Sequence, residues 1–145
     1  MTWTIETVRD AGVTPAAVFQ LYSDPTTWSD WGHSATWARV DGPFAEGGTV
    51  DVGAGYGRVY HCRIQRLVAG RELVLEVRPP FMTVVNTYEV TPTADGAHIR
   101  HALKVSGPLA GVIRLIGFDR AYQASLDKEV GRVVEMATVS ASGPS

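Results

Sequence analysis

"GAHIRHALKVSGPLAGVIRLIG", Gly96–Gly117, changes its period in the middle. From Ala97 to Val105 apolar and polar residues alternate, the two-residue period of a half-buried strand. Ala97, Ile99, His101, Leu103 and Val105 share one face, and His98, Arg100, Ala102 and Lys104 share the other. After Ser106-Gly107-Pro108 the apolar residues recur at helical spacing. Leu109, Val112, Ile113 and Ile116, then Leu126, Val130, Val133, Val134 and Ala137, form one stripe. The pattern predicts a C-terminal helix of roughly thirty residues, its first half weakened by Gly111 and Gly117. Its apolar face must be buried against a sheet.

Upstream, the two-residue period dominates. "TWARVDG", "GGTVDVG", "GRVYHCRIQRLV", "RELVLEVRP" and "FMTVVNTYEVTP" read as strands, and "AHIRHALKVSG" is the sixth of the series. Turn clusters separate them, and connections so short join only antiparallel neighbours. The N-terminal "TWTIETVRDAGV" reads as one more strand. "VTPAAVFQLYSD" is a helix with Thr14 as its cap and Pro15 at its first position. In "SDPTTWSDWGH", Ser23–His33, Asp24-Pro25 ends that helix and starts a shorter one. The second helix carries Trp28 and Trp31 three residues apart, on one face. That face covers either the core or a cavity. The order predicts an α+β domain: a strand, two short helices, six strands and a long helix.

A chain of 145 residues with 45% hydrophobic and 19% charged side chains suits one domain with a sizeable core. The reading is a single domain over 1–138 and a disordered tail over 139–145, where "SASGPS" is small and polar. A net charge of −2 speaks against a general partner among nucleic acids or anionic membranes. One cysteine, Cys62, excludes an internal disulfide and a thiolate-rich metal site. No apolar run could span a bilayer, and the first residues lack a signal-peptide core, so a cytoplasmic location without membrane insertion is expected.

The order of elements, the D-P-x-x-W-x-x-W stretch at Asp24–Trp31, the turn "PTADG" and the S-G-P-L helix start at Ser106–Leu109 resemble the START-like (SRPBCC) superfamily. More narrowly, they resemble its polyketide cyclase/dehydrase and ligand-transport group, over nearly the whole chain. The resemblance implies a helix-grip fold, in which a curved antiparallel sheet wraps the long helix around a mostly apolar internal cavity. It also implies a small hydrophobic ligand such as a polyketide or lipid, with Trp28 and Trp31 closing one cavity end. Cyclization or dehydration of that ligand is one expectation. A non-catalytic carrier, or an interaction protein with a collapsed cavity, is the other.

Polar residues that interrupt apolar rows mark the candidate site, because a buried polar group needs a partner, a water or a ligand. His101 interrupts the row of the last strand, and Asn86 interrupts Met82, Val84, Tyr88 and Val90. A helical wheel drawn from Val112 to Ala137 puts Asp119 and Gln123 on the buried stripe. His101 with Asp119 is therefore the expected acid–base pair, or else a structural pair tying helix to sheet. Trp28, Trp31, Arg58, Tyr60, Leu75, Asn86, Tyr88, Leu103, Ile116 and Gln123 are expected to line the ligand site. The inner row Arg58, Tyr60, Cys62 and Ile64 holds unless a bulge near Gln65 reverses it. His33 is placed near the entrance or on an exposed loop.

"GAGYG", Gly53–Gly57, leads into a strand rather than a helix, which fits a hairpin turn and not a phosphate loop. Adjacent His61 and Cys62 point to opposite strand faces, as do His98 and His101, so no metal set forms. No metal or cofactor is expected. Neither Ser106 nor Cys62 has a base beside it in sequence, and no G-x-S-x-G is present. The expected state is a monomer or homodimer.

Overall fold

The computed structural model describes residues 1–32 and 35–142; His33 lies outside them. Seven strands follow the predicted segments: β1 Thr2–Ala11, β2 Trp37–Asp41, β3 Thr49–Gly53, β4 Val59–Val68, β5 Glu72–Val77, β6 Thr83–Thr93 and β7 Gly96–Ser106. They form one antiparallel sheet in the order β1-β7-β6-β5-β4-β3-β2. Between β1 and β2 stand α1, Pro15–Ser23, a 3-10 turn, Pro25–Thr27, and α2, Trp28–Trp31. The Thr14 hydroxyl accepts the Ala17 amide at 3.1 Å, and Asp24 accepts the Thr26 amide at 3.1 Å. Each cap satisfies an amide that the first turn leaves unpaired.

The C-terminal helix differs from the sequence expectation. It is two helices, α3 Ala110–Leu115 and α4 Phe118–Ser142. Ile116 leaves helical geometry and Gly117 adopts φ +94°, a conformation open to glycine. The break resets the helical phase, so a wheel drawn through it misassigns faces. Val112 and Ile116, placed on the buried stripe by that wheel, are exposed, whereas Val130, Val133 and Ala137 beyond the break are buried. Helix α4 also extends to Ser142, beyond the expected end at 138.

The inner row of β7 is buried throughout, and its register aligns it with Val84, Asn86, Tyr88 and Val90 on β6. A bulge does interrupt β4 between Ile64 and Arg66. It lets Ile64 and Leu67 both reach the core, so the row ending at Ile64 stays inside. Two apolar clusters result. One gathers α1, α2 and the α4 residues Val130, Val133 and Ala137 over one end of the sheet. The other gathers Trp3, Val105, Ala110, Ile113 and Leu126. The Trp3 indole donates to the Ala110 carbonyl at 2.8 Å, which fastens α3 to β1.

On the outer face a row of charges crosses five strands. Arg66 pairs with Glu72 at 2.8 Å, and Arg100 pairs with Glu89 at 3.0 Å and Glu6 at 2.7 Å. Glu72 and Glu89 stand directly opposite in register. Burial and then the Glu89 carboxyl raise the Glu72 pKa, against the pull of Arg66. The folded state thus holds that proton more tightly than the unfolded chain. Its stabilising contribution is complete below the unfolded carboxylate value and is lost as pH rises through the folded value. Glu72→Gln is expected to gain stability relative to the parent over that rise, in paired unfolding curves. Parallel pH profiles would contradict the raised Glu72 pKa.

Candidate functional site

His101 is the one buried polar side chain among the described core residues, at 0% exposure. Its Nε2 lies 2.7 Å from the Tyr22 hydroxyl on α1, and its Nδ1 lies 3.3 Å from Glu129 Oε1 on α4. A neutral imidazole protonated at Nδ1 satisfies both contacts: it donates to Glu129 and accepts from Tyr22. Burial, followed by the Glu129 and Glu89 charges, raises the Tyr22 pKa well above the ordinary tyrosine value. The phenol therefore keeps the proton that this arrangement needs. His101 thus ties β7 to α1 and α4 at once.

Around it, Tyr22, Trp31, Tyr88 and His101 form a cluster in which each ring touches the other three, with centroids 4.9–5.8 Å apart. The Trp31 indole donates to the Thr27 hydroxyl at 3.1 Å. The Trp28 indole donates to the Tyr22 carbonyl at 3.1 Å and packs on Phe44. Both tryptophans are buried. The two tryptophans cover this end of the inner face, with aromatic rings packed beneath them.

The other half of the inner face is different. Val84, Asn86 and Tyr88 of the central strand β6 keep accessible surface, although their ladder partners Leu73, Leu75, Leu103, His101 and Val105 are buried. Tyr60 and Val77 beside them are half-buried too. Asn86, Tyr60 and Tyr88 make no side-chain hydrogen bond, and among the described residues no fully buried side-chain polar atom lacks a partner. The polar atoms of Asn86 and Tyr88 therefore keep some contact with solvent. A groove of about 510 Å³ runs chiefly along the outer-face side chains His61, Arg63, Glu76 and Arg78 and reaches the inner row at Tyr60 and Val77, beside Pro79 and Pro80. Another of about 690 Å³ lies on the outer face over the charged row.

Burial is the main cause that raises the Tyr88 pKa well above the ordinary tyrosine value, with Glu129, Cys62 and Tyr22 adding to it. Tyr88 therefore keeps its phenol proton on the inner face and, bonded to no protein group, can donate it in a hydrogen bond. Across that face, Tyr122 on α4 has its pKa raised by burial and then by Tyr60. Burial and then Asp51 push the Cys62 thiol up to about 11, so it is no thiolate nucleophile at neutral pH. Among the described residues no group of three His, Cys, Asp or Glu could hold a metal ion.

The family model described as polyketide cyclase/dehydrase and lipid transport matches residues 2–135. The chain belongs to this family. Solved structures superpose on it over nearly its whole length. Protein MLL2253 from Mesorhizobium loti does so with a TM-score of 0.74 at 17% identity, over 98% of this chain and 100% of that one. Protein SA2116 from Staphylococcus aureus, of unknown function, gives 0.78 at 12%, over 99% and 98%. The di-domain ARO/CYC StfQ of the steffimycin biosynthetic pathway gives 0.80 at 11%, over 99% of this chain and 53% of that one. At such identities these likenesses show the helix-grip fold alone. No curated protein matches in sequence. Membership in a cyclase/dehydrase and lipid-transport family supports a role in binding a hydrophobic ligand, and no described helix is long and apolar enough to cross a membrane.

Within this family member, the expected His101–Asp119 pair does not form. Asp119 sits in the first turn of α4 and contacts Arg114 at 3.8 Å. Gln123 turns to β1, donating to the Thr7 hydroxyl at 2.9 Å and the Glu6 carbonyl at 3.0 Å. Ile116 is exposed at the α3–α4 break, and Arg58 is exposed after the β3–β4 turn. Tyr60, Leu75, Asn86, Tyr88 and Leu103 do share the inner face. Tyr22 and Glu129 were not singled out, because each fits an ordinary helical position; only the need of His101 for two partners points to them.

Proposed function

We propose that this chain binds a small hydrophobic metabolite, of the polyketide or lipid kind, on the open half of the inner sheet face. The observation that carries the reading is the accessible surface of Val84, Asn86 and Tyr88 on the central strand, although all their β7 partners are buried. An apolar wall with a few uncommitted polar groups is the usual make-up of a small-ligand site. Tyr88 can donate to a ligand oxygen and Asn86 can both donate and accept, which would orient the bound molecule. His101 serves this site by positioning: it packs edge-on against the Tyr88 ring at 4.9 Å, and both its nitrogens are occupied. That occupancy favours a carrier over a His101-based acid–base enzyme. Cyclization or dehydration by substrate orientation, with Tyr88 as hydrogen-bond donor, is the catalytic form of the same reading.

Mass spectrometry of molecules released from the purified, denatured protein would name the ligand. Tyr88→Phe and Asn86→Leu are each expected to weaken its binding about tenfold, roughly 1.4 kcal/mol. Unchanged affinity in both variants would remove this face as the site.

A further inference from the structure

Around the open half of the inner face, three separate segments hold large apolar side chains in water. Tyr56 is fully exposed at the tip between β3 and β4, and Phe81 is 75% exposed at the tip between β5 and β6. Where α3 gives way to α4, Leu115 is 88% and Ile116 65% exposed, and Phe118 follows. The second adjoins the start of α3, the helix that leads to the third. The Leu109 amide at the start of α3 donates to the Phe81 carbonyl at 3.1 Å. Gly107 lies so close beneath that a β-carbon there would come within 2.9 Å of the same oxygen. Phe118 packs on Tyr122, whose phenol feels that of Tyr60 across the face. Tyr56 and Phe81 both hold positive φ, 65° and 64°, which is costly for a residue with a side chain. Neither cost is repaid by burial.

The charges on the same rim are mainly positive. Arg58 and Arg120 are exposed and have no ion-pair partner among the described residues. Arg114 meets only Asp119, at 3.8 Å. These arginines stand out in a chain whose net charge is −2. That overall balance argues against indiscriminate attraction to anionic surfaces, so the attraction would act at this end only.

We propose that this rim docks on an anionic lipid bilayer, with its apolar tips in the headgroup layer and its arginines on lipid phosphates. Exposed aromatic and aliphatic tips flanked by arginine match the chemistry of an interface that is apolar beneath and anionic above. An acidic protein would engage the arginines and leave the tips wet. The docked orientation turns the open inner face toward the bilayer, so a hydrophobic ligand could pass between them without entering water. This rests on the ligand-binding reading above, but its test does not.

The test is cosedimentation of the full chain with vesicles of phosphatidylcholine, with and without phosphatidylglycerol. Binding to the anionic vesicles is expected to exceed binding to the neutral ones by about tenfold or more, and to fall with added salt. Phe81→Ser combined with Leu115→Ser, and separately Arg58→Glu combined with Arg120→Glu, should each abolish most of it. Arg71→Glu, on the far β4–β5 turn, should not. Circular dichroism melts establish that every variant is folded. Uptake of the apolar dye N-phenylnaphthylamine in solution should survive the rim changes.

A parent protein that takes up the dye and ignores both vesicles overturns the docking and leaves ligand binding standing. Vesicle binding that survives the apolar pair overturns it as well. Retention on immobilised polyglutamate that needs the arginines and not the tips assigns the rim to an acidic protein instead, and overturns the bilayer. A dimer in solution that Leu115→Ser dissociates likewise overturns it, in favour of a second copy.

Discussion

Tyr22→Ala is expected to lower the unfolding free energy by about 3–5 kcal/mol, the range for removing a large buried ring from a packed core. Tyr22 has no exposed surface, contacts Phe19, Trp31, Tyr88 and His101, and supplies the hydroxyl at His101 Nε2. Tyr22→Phe separates these contributions. It keeps the ring and strips His101 of one partner, at an expected cost of about 1–3 kcal/mol for the orphaned buried atom. Urea unfolding of the two variants measures both. A phenylalanine substitution that costs nothing would mean that this hydrogen bond does not hold α1 to the sheet.

His101→Phe should cost about 1–3 kcal/mol for each polar group it orphans, the Tyr22 hydroxyl and the Glu129 carboxylate. Glu129 is 14% exposed, so solvent relieves its share in part. Asp119→Asn should cost less than about 1 kcal/mol, since its one ion pair is long and partly solvated. The contrast separates two accounts of His101. If it were a pair with Asp119 serving the ligand, both substitutions would spare stability and damage binding alike. With His101 sealed between Tyr22 and Glu129, its loss should show first in the unfolding curve. Equal, small stability losses would return it to the ligand site.

The sheet was legible because period two survives local noise. On β7 every second residue is apolar but His101, and burial follows that alternation along the strand apart from Ala102, which is also buried. The turn residues at Gly42-Pro43, Ala69-Gly70 and Ala94-Asp95-Gly96 mark the strand ends well enough to give the order of elements. The C-terminal helix was less legible. Its apolar stripe continues numerically through Gly117, and a wheel keeps its phase only while the helix does. The break at Gly117, φ +94°, took Val112 and Ile116 off the buried stripe. Asp119 and Gln123, in phase with Leu126 and Val130 on α4, meet Arg114 and β1 rather than His101.

For the site, the anomalies in apolar rows were the useful signal, and their partners were not. His101 and Asn86 announce themselves by interrupting a strand row. What meets them depends on contacts across 79 and 28 residues of chain, to Tyr22 and Glu129, which no local period encodes. Trp28 and Trp31 were correctly seen as a covering face, but what they cover is an aromatic cluster around a histidine. Space is harder still to read. Whether an inner face is filled or open depends on where α3 and α4 come to rest, and that follows from the break at Gly117.

The central claim is that the open half of the inner face takes the ligand, and blocking it tests that claim most directly. Val84 sits mid-face, half-buried beside the second apolar cluster, so Val84→Trp enlarges a side chain at the proposed ligand face, and its thermal melt reports any overpacking. Binding of N-phenylnaphthylamine, followed by its fluorescence, is measured on the parent and on Val84→Trp alongside their thermal melts. The expected result is saturable binding by the parent and its loss, by about tenfold or more, in a variant that melts like the parent. A folded Val84→Trp that binds the dye as the parent does would contradict the account.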